Sequence, residues 1–177
     1  MRAKNPVIQA IRTRRSIRQF TKEAISDEVL NQILESGLWA PSGKNNQPKR
    51  FAVIRDSTLK ESLSALTHSR SIIQEAPTCI AVFLDLSRVY DRTKDVQAVR
   101  ACIQNMLLTI HSLGLGGVWL GEILKNKEKA GELLGASKEL ELMAIVAFGH
   151  PAKRPGSGER DPLEKTVFLR RWPQDCS

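Results

Sequence analysis

Four short segments of this 177-residue chain carry residue types that could do chemistry. The first is Arg14-Arg15-Ser16-Ile17-Arg18, with three guanidinium groups and a hydroxyl within five residues. Arginine is a permanent cation whose planar fork can grip a phosphate or carboxylate at two points. The second is Pro41-Ser42-Gly43-Lys44-Asn45-Asn46-Gln47-Pro48. Its amides and hydroxyl can donate to and accept from the edge of a heterocycle. The third is Gly116-Gly117-Val118-Trp119-Leu120-Gly121-Glu122. Glycines there allow close backbone approach to a flat ligand, with main-chain N–H groups left for a ring nitrogen or carbonyl. The fourth is a second basic patch, from Lys153 and Arg154 to Arg160.

Each segment also has a plain structural reading. The arginines could be a solvated turn, a nucleic-acid patch or a twin-arginine export signal. Export needs an apolar stretch next. Here Gln19-Phe20-Thr21-Lys22-Glu23 and Ser26-Asp27-Glu28 follow, so the arginines are expected to belong to a folded domain. The loop could be an ordinary turn, the glycines only a helix stop, and the late basic residues only solubilising.

Composition narrows the classes. The net charge of +8 favours anionic ligands, nucleic acid among them. Yet the chain has three Trp, one Tyr and five Phe, none interleaved with the basic clusters as stacking platforms. A nucleic-acid-binding domain is therefore the minor alternative. Cys79, Cys102 and Cys176 are scattered and odd in number, as expected of reduced thiols in a cytoplasmic protein. His68, His111 and His150 lie far apart and near no cysteine pair, so no metal is expected. No apolar run is long enough for a bilayer, so no membrane association is expected. A G-x-G-x-x-G fingerprint after a strand and a Walker A sequence are both missing, which removes the commonest nucleotide folds.

The elements that must position these segments follow from caps and periodicity. Asn5 and Pro6 predict a cap and first position for a helix through Ile11. Ser26, with Asp27 and Glu28 behind it, predicts a second helix on Val29, Leu30, Ile33, Leu34 and Leu38. Two prolines, a glycine and two asparagines make 40–48 a loop. Strands are predicted at 51–54, 79–84, 118–120 and 140–148, the second as a buried central strand. Helices are predicted around Leu59, Leu63 and Leu66, over 96–113 in the core, and over 127–134. The mixed pattern has no linker, which predicts one domain over 1–177.

The four segments, in this order, resemble the nitroreductase family of flavin enzymes. That family typically shows R-R-S-x-R-x-F after its first helix, A-P-S-x-x-N-x-Q-P before a strand, L-G-L-G leading into W-L-G-E, and G-H-P with a later arginine. This chain has Arg14 to Phe20, Ala40 to Pro48, Leu113-Gly114-Leu115-Gly116, Trp119-Leu120-Gly121-Glu122, Gly149-His150-Pro151 and Arg160. The resemblance implies an α+β fold with a mostly antiparallel central sheet flanked by helices. It also implies an intertwined homodimer with two FMN sites at the interface.

By the same resemblance, Arg14, Arg15 and Ser16 would hold the FMN phosphate and ribityl chain, with Arg160 completing the phosphate site. Arg18 would lie near the pyrimidine end of the ring, where a cation eases reduction. Pro41, Ser42, Gly43, Asn45 and Gln47 would reach the flavin, partly from the partner subunit. Leu120, Gly121 and Glu122 would offer main-chain groups to the ring. NADH or NADPH would reduce the flavin, and a nitroaromatic, quinone or similar small acceptor would reoxidise it. No catalytic side chain is expected, because FMN carries the chemistry. Dehalogenation, flavin breakdown or azoline oxidation on the same fold is the alternative. Gly158 stands where the family often has a basic residue, two positions before the late arginine.

Overall fold

The computed structural model describes residues 5–153, 156 and 158–169. Arg154 and Cys176 lie outside them. Helix α1 (Pro6–Thr13) starts where Asn5 accepts hydrogen bonds from the Val7 and Ile8 amides. Helix α2 (Asp27–Leu38) starts where Ser26 accepts from Val29 N–H. After them come β1 (Lys49–Ile54), α3 (Ser57–Ser64), α4 (Arg70–Glu75) and β2 (Thr78–Asp85). The 21-residue α5 (Arg92–Ser112), β3 (Gly116–Leu120), α6 (Lys127–Leu133), β4 (Leu140–Gly149) and α7 (Leu163–Thr166) complete the order. Sequence reasoning missed α4. Six residues are too few to display helical periodicity, and Pro77 hides its end.

The four strands form one antiparallel sheet, as the resemblance implied, and the structure gives their order as β1-β2-β4-β3. Every residue of β2 is buried, because layers cover both faces of the sheet. Ile80, Val82 and Leu84 face α2 and α5, packing with Ile33, Val99, Ile103, Met106 and Ile110. Cys79, Ala81 and Phe83 point the other way, into a cluster with Leu63, Ile73 and Ala130. The register shifts once, since Val82 pairs with Ala144 but Phe83 pairs with Leu142. Met143 is thus an extra residue. It flips the parity of β4, so Leu142 and Ile145 share one layer.

Helix α5 is about 31 Å long at 1.5 Å per residue. It spans the sheet and carries a site segment at each end. Asp91 caps its start by accepting from Lys94 N–H. Helix α2 crosses it at Gly37, where a Cβ would stand 2.9 Å from Cys102 Sγ. Burial pushes that thiol up to about 11, so it stays neutral and inert.

Glu141 ties α5 and α6 to β4. It accepts two hydrogen bonds from Arg92, at 2.7 and 3.0 Å, and one from Lys127 at 2.7 Å. The Arg92 hydrogen bonds, with help from Lys127, hold its carboxyl down to about 2 from an ordinary 4.5. A carboxyl depressed on folding stabilises the native state above its ordinary value, and the contribution is lost as pH falls toward the native value. Wild type should therefore lose stability between about pH 4.5 and 2. Glu141→Gln should flatten that acid limb in denaturant titrations at stepped pH. An unchanged limb would show that the triad contributes nothing.

Candidate cofactor-binding site

Helix α1 docks on the far end of α5 through Thr13, whose Oγ1 lies 2.8 Å from His111 Nε2 and donates to Gln9 O. The chain then turns along the outer edge of β3. Ser16 bridges to Gly117 in parallel, and Ile17 N–H donates to Gly117 O at 3.1 Å. Ile17 is buried over Gly116, where a Cβ would come within 2.6 Å of its side chain. Thr21 N–H to His150 O and Ala152 N–H to Gln19 O then pin the segment beyond β4. The arginines are therefore fixed at the mouth of the β3 edge.

Arg15 folds back so that Nη1 donates to Arg12 O and Arg14 O, both at 2.8 Å. Its Nε is buried without a partner. Residue 158 returns to this spot, since a Cβ on Gly158 would stand 2.8 Å from Arg15 Nε and 3.4 Å from Arg160 Nη1. A side chain at position 158 would therefore require the Arg15 side chain to shift. Burial first, then the charges of Arg160 and Arg15, press the pKa of Arg14 below its ordinary value. No carboxylate pairs with Arg14, Arg15 or Arg160 among the described residues. Three clustered cations and a buried donor without an acceptor make a site for an anion. Arg18, two residues past Ser16, is exposed.

The β3 edge runs from Gly117 to Leu120 and ends at Gly121, about 13 Å from Gly117 at 3.3 Å per residue. Nothing lies within 4 Å of where a Cβ on Gly121 would stand, so the backbone there is open to a ligand. Glu122 turns its side chain away. Its carboxylate accepts from Thr67 Oγ1 at 2.5 Å and His68 N–H at 2.9 Å, and is held down to about 2 chiefly by the Thr67 hydroxyl. Only the main chain of Glu122 is left to face a ligand.

The loop 41–48 lies elsewhere. It forms a short 3-10 turn at Gly43–Asn45, which the prolines and asparagines did not foretell. Lys44, Asn45 and Gln47 all have positive φ, at 52°, 54° and 49°. Such strain outside glycine persists only where surroundings impose it. Ser42 Oγ accepts from Gln47 N–H at 3.0 Å. Asn46 Nδ2 donates to Asp95 Oδ1 at 2.6 Å and to Arg88 O at 2.9 Å. Asp95, fully buried, also accepts from the Tyr90 and Asp91 amides. Lys49 donates to Leu38 O and Ala40 O.

Asp95 was missed by sequence reasoning. The signal was there: it falls on the apolar arc of α5, at helical spacing from Val99, Cys102 and Met106. An acid on a core-facing stripe needs donors, and the loop supplies them.

The chain therefore brings Arg14, Arg15, Ser16, Arg160 and the β3 edge together. It does not bring the 41–48 loop to Arg14, because the loop docks at the start of α5 and α1 docks at its end. Asp95 and His111 mark the two ends along α5, and sixteen residues of helix separate them by about 24 Å.

This fold and site belong to a defined class. The chain matches the nitroreductase family over residues 11–70 and 64–150, and it is a member of that family. A protein from Desulfovibrio desulfuricans, described as a nitroreductase and solved in complex with FMN, superposes with a TM-score of 0.92. It is 47% identical, and the match covers 97% of this chain and all of that one. A Methanothermobacter thermautotrophicus protein named NADH dehydrogenase/NAD(P)H nitroreductase is 30% identical over 96% of this chain and 90% of its own length. The NADPH-flavin oxidoreductase of Vibrio harveyi is 30% identical over 96% of this chain and 76% of its own.

Proposed function

We propose that this chain is a single-domain, FMN-dependent NAD(P)H oxidoreductase that reduces a nitroaromatic, quinone or similar small acceptor. The observation that carries the reading is the cluster of Arg14, Arg15 and Arg160, with the orphaned Arg15 Nε, at one end of an open strand edge. The residues present fit FMN. An anion takes the arginine end, and a flat ring takes the Gly121 end, where a Cβ would fill empty space. Bound there, FMN supplies a ring that takes up a hydride equivalent from one partner and passes electrons to the next.

The chain's own residues do the holding. Arg14, Arg15 and Arg160 neutralise the phosphate, and Ser16 bonds the ribityl side. Arg18 sets a positive charge toward the pyrimidine end. Leu120, Gly121 and Glu122 present main-chain groups to the ring. Pro41, Ser42, Gly43, Asn45 and Gln47 stand at the end of α5 opposite Arg14, about 24 Å along the helix, and are assigned to the flavin of the other subunit. They complete the site of a partner subunit.

A homodimer accounts for the surface as well. Helix α1 has an apolar stripe of Val7, Ile8 and Ile11, yet none of its residues is buried. Trp39, next to the loop, is 80% exposed, and Phe168 in the tail is 98% exposed. Apolar surface on this scale marks an interface. No helix among the described residues is long and apolar enough to cross a membrane.

The test is chemical identification. Purified protein should be yellow, and heat denaturation should release FMN at one per chain. A colourless protein that takes up no added FMN refutes the reading.

A further inference from the structure

Tyr90 carries two ammonium groups on its ring, Lys44 Nζ at 5.0 Å and Lys94 Nζ at 5.4 Å from the centroid. The same side chain packs against the loop: a Cβ on Gly43 would stand 1.7 Å from Tyr90 Oη. These centroid distances put the two ammoniums no more than about 10 Å apart, comparable with the Debye length of about 8 Å at physiological salt. They therefore repel each other around one aromatic ring.

Little offsets that repulsion. Lys94 has Asp91 at 3.5 Å. Asp95 is consumed by Asn46 and two backbone amides. Asp85 is consumed by Arg50 at 2.6 Å, with Arg88 at 3.7 Å adding another cation nearby. Lys44 pairs with no carboxylate among the described residues. Two cations held on one exposed ring, beside a strained loop, form a platform that an anion would complete.

We infer that Lys44 and Lys94, held on Tyr90, recognise an anionic substituent on the aromatic partner that exchanges electrons at the site. The inference rests on the flavin reading, because the loop that Tyr90 braces is the loop assigned to the partner subunit's ring. The anion sits at the rim of the site, away from the phosphate grip of Arg14, Arg15 and Arg160. It comes from one of two sources with the same chemistry: a carboxylate on the acceptor, or the extra phosphate that distinguishes NADPH from NADH. The lysines select among partners, and the flavin does the chemistry.

Matched pairs test this on the holoenzyme. Steady-state kcat/KM is measured for 4-nitrobenzoate against its neutral methyl ester, and for NADPH against NADH, at stepped NaCl. Wild type should favour the anionic member of at least one pair, and the preference should fall with salt. Lys44→Gln and Lys94→Gln should each reduce that preference about two- to fivefold, the range of an exposed charge pair. Lys44→Arg should restore it, and the neutral member should not change. A shift in the nitrobenzoate pair assigns the anion to the acceptor, and a shift in the nucleotide pair assigns it to the reductant. Preferences that neither salt nor both substitutions move, with flavin content and neutral turnover intact, overturn this inference and leave the flavin reading standing. A wild type that takes up no flavin overturns both.

Discussion

Arg14→Ala will lose FMN roughly ten- to hundredfold more readily than wild type, and its apoprotein will be no less stable. The two halves of this result have opposite signs for one reason. Hydrogen bonds to charged groups contribute about 1.5–3 kcal/mol each, and each 1.4 kcal/mol is tenfold in Kd. Removing one guanidinium from the phosphate grip therefore costs that range in affinity. Without the anion, however, Arg14 is a partly buried cation crowded by Arg160 and Arg15, which press its pKa down. Alanine relieves that crowding. Fluorescence titration with FMN and thermal melts of apo and holo protein read the two effects separately. An arginine serving only as a structural strut would give the reverse: a destabilised apoprotein with unchanged flavin affinity.

The second large effect is complementation between two inactive variants. Gly43→Ala places a methyl where Tyr90 Oη stands, so the Tyr90 ring or the loop must move. A Gly43→Ala homodimer should retain little flavin, as should an Arg14→Ala homodimer. Coexpressed with different tags and purified as mixed dimers, they should recover one flavin per dimer. One of the two sites in a mixed dimer joins an intact Arg14 from one chain to an intact loop from the other. The recovery follows from the length of α5, which keeps loop and arginines apart within a chain. No recovery would place both segments at a single-chain site, against the separation seen along the helix.

Local chemistry was legible in the sequence wherever one residue decides one local outcome. Asn5 and Ser26 set the starts of α1 and α2, and the run through Cys79 and Leu84 marked the central strand, because caps and burial act within a few residues. The antiparallel sheet came from the resemblance rather than from periodicity, and the strand order came only from the structure. What sequence could not display are contacts made across long separations. The packing of Gly158 on Arg15, the extra residue at Met143 and the bond from Asn46 to Asp95 each join segments far apart in the chain. The four segments looked like one site in sequence. In the fold the arginine cluster and the 41–48 loop occupy opposite ends of α5, and the proposed dimer is what would reunite them.

The central claim is that this site holds FMN and passes electrons between two small molecules in turn. The direct measurement is anaerobic stopped-flow absorbance of the purified protein. Mixing with NADH or NADPH should bleach the flavin band in a saturable phase. A second mix with a quinone or nitroaromatic should restore it, at a rate independent of which nucleotide did the reducing. A bound flavin that neither nucleotide reduces, or that no acceptor reoxidises, would contradict the account.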